Sequence, residues 1–243
     1  MSVQPVRALN LASDAGQNPA ESVIMLLSLK LMTVKHLVVA SLSILLAACS
    51  TQPEPAKESA APPEKKAPAP SPVGAPEVYK VRLFTNKGPI VIEAHREWAP
   101  RGADRFYELV KDRYYNDARF FRVIPNYIAQ FGLAASPKMT KKWDKPIDDD
   151  PVAHTNGMGT VTFATAGRNS RTTQVFINLR SNQTLDDQGF AAFGRVVEGM
   201  EVVEKLYGKY GDRPDQESIT RRGNAYLKTS FPLLDYIKTA KIL

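Results

Sequence analysis

With 243 residues, 43% of them hydrophobic and 23% charged, the chain has the composition of an ordinary globular protein and the length for one sizeable domain plus appendages. Its formal net charge of +7 is able to steer acidic partners, but the cations are spread along the chain and no nucleic-acid motif accompanies them, which argues against nucleic acid as the main ligand. A single cysteine excludes an internal disulfide, and its position is more informative than its number.

Residues 34–48 place Lys35 ahead of an apolar run, Leu37–Ala48, that ends in small residues. This is the layout of a secretory signal. The run is shorter than the about 20 residues a transmembrane helix needs. Leu46-Ala47-Ala48-Cys49 resembles the bacterial lipobox, which implies that Cys49 is diacylated and becomes the first residue of the mature chain. That chemistry needs a thiol for the thioether and small residues ahead of it to enter the peptidase. Ser50, rather than an aspartate, follows the cysteine, which points to a lipid anchor in the outer membrane facing the periplasm of a Gram-negative envelope. Residues 1–31 read as an over-extended start, with Met32 or Met25 opening the signal. From Ser50 to Pro76 the chain interleaves Pro53, Pro55, Pro62, Pro63, Pro68, Pro70, Pro72 and Pro76 with Ala, Lys, Glu and Ser. Such a segment has almost nothing to bury against its ordering entropy and is expected to be a disordered, extended stalk. The expected organisation is a signal region over 1–48, a lipidated cysteine and stalk over 49–76, and a folded domain over 77–243.

In the folded part, Val78–Phe84 alternates apolar and polar residues with period two, Asn86-Lys87-Gly88 signals a turn, and Ile90–Ala94 resumes the alternation. Together they predict a hairpin. Pro100 opens a helix on which Ala103, Phe106, Tyr107 and Val110 share a face. Short strands are expected at Phe120–Ile124 and Tyr127–Phe131, and Gly132–Met158 reads as a long polar loop. Further strands are expected at Val161–Ala164, Gln174–Leu179 and Ala191–Val197, a second helix at Gly199–Tyr207, and a closing strand within Leu234–Ile242. Gly208–Phe231 offers turns but no clear element. Many strands with two well-separated helices suggest a mostly-β barrel with capping helices.

Three segments bear the specific signal. The first is Phe120-Phe121-Arg122-Val123-Ile124-Pro125-Asn126-Tyr127-Ile128-Ala129-Gln130-Phe131-Gly132. The second runs from Gly159 to Gly167 and on through Thr173-Gln174-Val175-Phe176-Ile177-Asn178. The third is Leu185-Asp186 followed by Phe193-Gly194-Arg195-Val196-Val197-Glu198-Gly199-Met200. Their order and spacing resemble the cyclophilin family over roughly Glu77 to Ile242. The resemblance implies a closed eight-stranded antiparallel β-barrel capped by two α-helices. It also implies peptidyl-prolyl cis-trans isomerase activity, proline-containing polypeptide segments as partners, and a monomer. X–Pro rotation faces a barrier of about 18–20 kcal/mol because the amide C–N bond has partial double-bond character. No bond is broken, so the resemblance implies no cofactor and no metal.

By the same resemblance, Arg122 matches the family's catalytic arginine, whose fixed guanidinium donates toward the twisted amide nitrogen and grips the proline carbonyl. Gln130 matches the glutamine that binds substrate backbone and orients that arginine. Tyr127, Ile128 and Phe176 match the lining of the proline slot, with Tyr127 in place of the commoner phenylalanine. Ala164 and Thr165 match the edge that pairs with residues before proline, and Thr165 stands where the family usually has asparagine. A family tryptophan is replaced by Thr184 or Leu185, and a histidine by Phe190, so Leu185 and Phe190 are expected to wall the slot. The missing tryptophan removes a contact that the family links to cyclosporin affinity. The family's Gly-Gly after the glutamine is here Phe131-Gly132.

Other groups read as bystanders. His95 and His154 lack ligand spacing, Asp148-Asp149-Asp150 reads as a solvated loop run, and Asp186 and Asp187 read as turn formers. No serine-hydrolase elbow is present. Two function classes remain open on the sequence. One is an isomerase assisting exported proteins; the other is a non-catalytic module that holds proline segments in the same groove. Arg122, which binding can spare and catalysis needs, favours the enzyme.

Overall fold

A computed structural model describes residues 74–243; Cys49, the signal region and residues 49–73 of the stalk lie outside the described residues. The domain opens with the expected hairpin, β1 (Val78–Thr85) and β2 (Pro89–His95), in antiparallel register with Val81 opposite Ile92. The alternation does what it predicts. Tyr79, Val81 and Leu83 turn inward and the residues between them face out. Gly88, at φ +136, makes the turn, and its carbonyl accepts from Thr85 N at 3.1 Å.

Helix α1 (Pro100–Lys111) starts with proline in its first turn and buries Ala103, Phe106, Leu109 and Val110. Its first free N–H groups are satisfied from a distance, because the Asp150 carboxylate accepts from Arg101 N at 3.1 Å and Gly102 N at 2.9 Å. This corrects the reading of Asp148–Asp150 as a solvated run. Asp150 is 5% exposed and pairs with the equally buried Arg171 at 3.1 Å. A helix start without its own capping side chain needs such a partner, and a run of three acids does not reveal which one turns inward.

Six more strands follow: β3 (Arg122–Ile124), β4 (Ile128–Phe131), β5 (Thr160–Phe163), β6 (Val175–Asn178), β7 (Ala192–Glu198) and β8 (Ile237–Ile242). All pairs are antiparallel, in the order β3-β4-β6-β5-β7-β2-β1-β8. The expected closed barrel is corrected here to an open half-barrel. The sheet ends on β3 and β8, and no ladder joins them. Just before those strands a lone bridge links Arg119 to Tyr236, and Phe120 N donates to Asp235 O at 3.0 Å. Farther along, the outer edge of β3 is occupied by Gly211, which bridges Val123. A closing strand would need that edge. Arg119 fills the seam, its Nη1 donating to Leu234 O at 2.9 Å and its guanidinium lying 5.1 Å from the Tyr236 ring centre.

The two expected helices are present as α1 and α4 (Met200–Glu204), and the described residues contain four more. Helix α2 (Pro137–Trp143) lies in the stretch read as loop, pinned by Trp143 Nε1 and Lys142 Nζ, both 2.6 Å from Asp112 Oδ2. Helix α3 (Thr184–Asp187) is a single turn. Helices α5 (Gln216–Arg222) and α6 (Asn224–Ser230) occupy the obscure segment before β8 and are parted by Gly223 at φ +56. Apolar residues divide accordingly. The main core gathers Phe106, Tyr115, Phe120, Phe131, Phe163 and Phe193 within the half-barrel. A separate cluster of Phe121, Leu133, Ile219, Leu227 and Leu234 roots α5 and α6 on the outside of the sheet.

Candidate active site

The site follows from strand register. Across neighbouring strands Arg122 is paired with Gln130, Gln130 with Phe176, and Phe176 with Thr162. Successive residues of a strand face opposite sides. The residues between them, Val123, Ala129, Phe131, Val175 and Ile177, therefore enter the core, while Arg122, Gln130 and Phe176 form one row on the outer face.

That row floors a groove of about 300 Å³. Each sequence-predicted groove residue lies on it: Arg122 and Gln130, then Tyr127, Ile128 and Phe176, then Ala164, Thr165, Leu185 and Phe190. Ile128, Phe176 and Leu185 form a small buried apolar cluster, flanked by Tyr127, Ala164 and Phe190. The Phe190 ring meets Phe176 edge-on, with centres 5.8 Å apart. Leu185 and Phe190 thus close one end of an apolar slot.

At the polar end the groups run in series. Arg122 Nη1 donates to Gln130 Oε1 at 3.2 Å, and Gln130 Nε2 donates to Gln174 Oε1 at 2.9 Å. Gln130 is only 4% exposed, so both ends of its amide are committed within the protein. The other guanidinium N–H groups of Arg122 make no hydrogen bond among the described residues and stay available at the groove. Ala164 N donates to Gln174 O at 2.9 Å, whereas the Thr165 backbone enters no hydrogen bond among the described residues. Thr165 Oγ1 is already engaged, donating to Gly167 O and lying 2.9 Å from Ser170 Oγ. The position thus offers a substrate its main chain rather than its side chain.

Several groove residues escaped the sequence reading. Gln174 was legible in principle, because it sits two positions before Phe176 and shares its face. Ser170, Thr172 and Gln216 carry no local signal that would have found them. The least visible is Asn156, which lies beneath the slot's far wall. It is fully buried, its Nδ2 donating to Asp186 Oδ1 at 2.7 Å and to Phe190 O at 2.8 Å. Its Oδ1 accepts from Thr162 Oγ1 at 2.7 Å and Asn178 Nδ2 at 3.2 Å. Asp186 also accepts from Asn156 N at 2.9 Å and from Thr155 Oγ1. Burial tends to raise the Asp186 carboxyl, but the hydrogen bonds from Thr155 and Asn156 outweigh it and hold the group below the usual carboxylate range. Read from sequence as a turn former, Asp186 anchors the short helix that carries Leu185. His95 and His154 sandwich Trp98, with ring centres 4.2 and 3.7 Å away.

Comparisons with known proteins point one way. A family model described as cyclophilin type peptidyl-prolyl cis-trans isomerase/CLD matches residues 80–222. A peptidyl-prolyl cis-trans isomerase of Acinetobacter baylyi is 36% identical over 149 residues, covering 56% of this chain and 79% of that protein. Another from Schizosaccharomyces pombe is 36% identical over 132 residues, covering 52% of this chain and 83% of its own. Among solved structures, the crystal structure of a cyclophilin-type isomerase of Cryptosporidium parvum matches with a TM-score of 0.52 at 23% identity, over 68% of this chain and 98% of that one. A cyclophilin of Hirschia baltica matches with a TM-score of 0.50 at 17% identity, over 68% of this chain and 77% of that one. At these identities the two structures speak to the fold.

Proposed function

The chain belongs to the cyclophilin-type peptidyl-prolyl cis-trans isomerase family, and on that premise we propose how its groove turns the X–Pro bond. The protein is a rotamase, and its substrates are proline-containing polypeptide segments. The reaction makes and breaks no covalent bond, so the protein has only to bind the twisted amide better than either planar form. The proline ring enters the slot between Ile128, Phe176 and Leu185, with Tyr127 and Phe190 at its rim. Residues before the proline lie along the open main chain of Thr165. As the bond twists, the amide nitrogen regains its lone pair, and Arg122 donates a hydrogen bond toward it. A guanidinium stays protonated through such a step, and its planar fork keeps direction. Gln130, held in turn by Gln174, fixes the plane of that fork in advance, so little reorganisation is left for the transition state.

The observation that carries this reading is the Arg122–Gln130–Gln174 series at the polar end of an apolar slot. Its test is cis-to-trans exchange of a short Ala-Pro-Phe peptide. The parent should accelerate exchange, and Arg122→Ala should cut the acceleration at least about tenfold, the equivalent of roughly 1.4 kcal/mol of lost transition-state binding. A folded parent no faster than buffer would sink the mechanism.

The same reading places the enzyme in the cell envelope as a monomer, working on exported proteins from a lipid anchor at Cys49 in the outer membrane, facing the periplasm. Its support is the signal-like run Leu37–Ala48, the Leu46-Ala47-Ala48-Cys49 sequence and Ser50. Radiolabelled fatty acid should enter the protein in cells and be lost with Cys49→Ala.

A further inference from the structure

The groove crosses the sheet in a fixed order. It starts beside Ala164 at the end of β5, passes Phe176 on β6 and Gln130 on β4, and reaches Arg122 on β3. Beyond β3 the next backbone is the segment that begins with Gly211, bridged to Val123, and ends at Gln216, the first residue of α5. Gln216 is exposed and lines the same groove as Arg122.

Its setting is rigid although its side chain is not engaged. Asp215, immediately before it, is held on both sides: its N–H donates to Tyr226 Oη at 3.3 Å, and its carboxylate accepts from Ser218 N at 2.8 Å. Pro214 is buried, and one turn further on Ile219 is fully buried in the satellite apolar cluster with Phe121, Leu133 and Leu227. Only the backbone carbonyl of Gln216 is used internally, accepting from Thr220 Oγ1 at 2.9 Å. The side-chain amide makes no hydrogen bond among the described residues. A primary amide offers one acceptor and two donors, which is the complement of a peptide main chain.

We infer that Gln216 contacts the substrate directly and that α5 extends the groove for the polypeptide leaving the proline on its carboxyl side. The inference rests on the isomerase reading for its direction: if residues before the proline run along Thr165 and the ring occupies the central slot, the chain after it must cross Arg122 and meet Gln216. The ligand class is an extended polypeptide with two or more residues beyond the proline. The recognition is by main-chain hydrogen bonding, so it selects for length and extension rather than for one side chain. The satellite cluster then has a function, since it pins the backbone that presents the amide.

The test compares two peptides of identical sequence around Ala-Pro-Phe, one ending at the phenylalanine as an amide and one continued by three alanines. Dissociation constants are measured by NMR titration on the parent, Gln216→Ala, Gln216→Asn and Arg122→Ala. The parent should bind the longer peptide roughly fivefold tighter, the worth of about one peptide hydrogen bond. Gln216→Ala should reduce that advantage below about twofold, Gln216→Asn should keep part of it, and Arg122→Ala should weaken both peptides alike. Gln216 is exposed, so these substitutions do not disturb packing. A parent blind to length, or an advantage that survives Gln216→Ala, overturns the inference. Length-dependent binding that follows Gln216, with no acceleration of exchange for either peptide, would keep the inference and sink only the catalytic step.

Discussion

Truncating Asn156 to alanine should destabilise the domain by about 3–5 kcal/mol and loosen the far wall of the slot. The side chain is fully buried and makes four hydrogen bonds, to Asp186, Phe190, Thr162 and Asn178. The one to the Asp186 carboxylate is worth about 2 kcal/mol, the neutral ones roughly 1 kcal/mol each at most. The partners do not lose equally. Asn178 Nδ2 keeps Thr160 Oγ1 at 2.9 Å, and Asp186 keeps Thr155 and the Asn156 backbone. The Phe190 carbonyl loses the donor Asn156 supplies and the Thr162 hydroxyl loses its acceptor, and an orphaned buried polar group costs about 1–3 kcal/mol. Urea unfolding followed by the fluorescence of Trp98 and Trp143 would give the loss. Peptide exchange kinetics would show KM raised more than kcat lowered, because Leu185 and Phe190 are loosened while Arg122, Gln130 and Gln174 sit across the groove. Asn156→Asp is a useful companion. It sets a second carboxylate against Asp186, which raises the pKa of both. Its cost should be full near neutral pH and shrink as acid protonates the pair. A loss below about 1 kcal/mol for Asn156→Ala, with KM unmoved, would refute the idea that this network holds the wall.

Three further outcomes are expected. Gln130→Ala leaves the Arg122 guanidinium without its partner, and kcat/KM in peptide exchange should fall roughly tenfold with Arg122 intact. Asp186 is held below the usual carboxylate range, so its stabilisation is complete above its unfolded pKa of about 3.9 and is lost as pH falls through the depressed folded value. The parent's melting temperature should therefore drop below about pH 4, and the drop should be shallower in Asp186→Asn. Arg171→Met takes the buried guanidinium from Asp150, which keeps the Arg101 and Gly102 N–H groups and the Arg101 guanidinium at 3.7 Å, and chemical denaturation should register a loss of about 3 kcal/mol.

How much of this was legible in the sequence depended on whether the decisive partner was near in the chain. The hairpin could be read because alternation and turn sit within Val78–Ala94, whereas Arg122, Gln130 and Phe176 came from the resemblance, since every residue of β4 and β6 is buried and no alternation marks their outer face. The resemblance supplied the roles. What failed was set by distant partners or weak periodicity. Helix α2 buries only Thr140, and α5 only Ile219, so neither shows an apolar face in sequence. The open seam hangs on Gly211 reaching Val123, 88 positions earlier in the chain, and nothing near either residue announces it. Asn156 sits in a polar run, and its burial is decided by Asp186 and Phe190, about 30 residues later.

The pairing of β1 with β8 sets a schedule for assembly. Val81 lies opposite Ile242, so the first strand of the domain finds its second neighbour only in the last. Until β8 docks, one edge of β1 presents unpaired N–H and C=O groups, the kind of edge on which chains add to one another. Contacts this distant in sequence are slow to form because the closure entropy must be overcome before they contribute. The sheet therefore cannot be completed before β8 is available, and until then β1 waits, half-paired with β2. A truncation that removes Ile237–Ile242 would make that waiting state permanent and leave a chain prone to self-association.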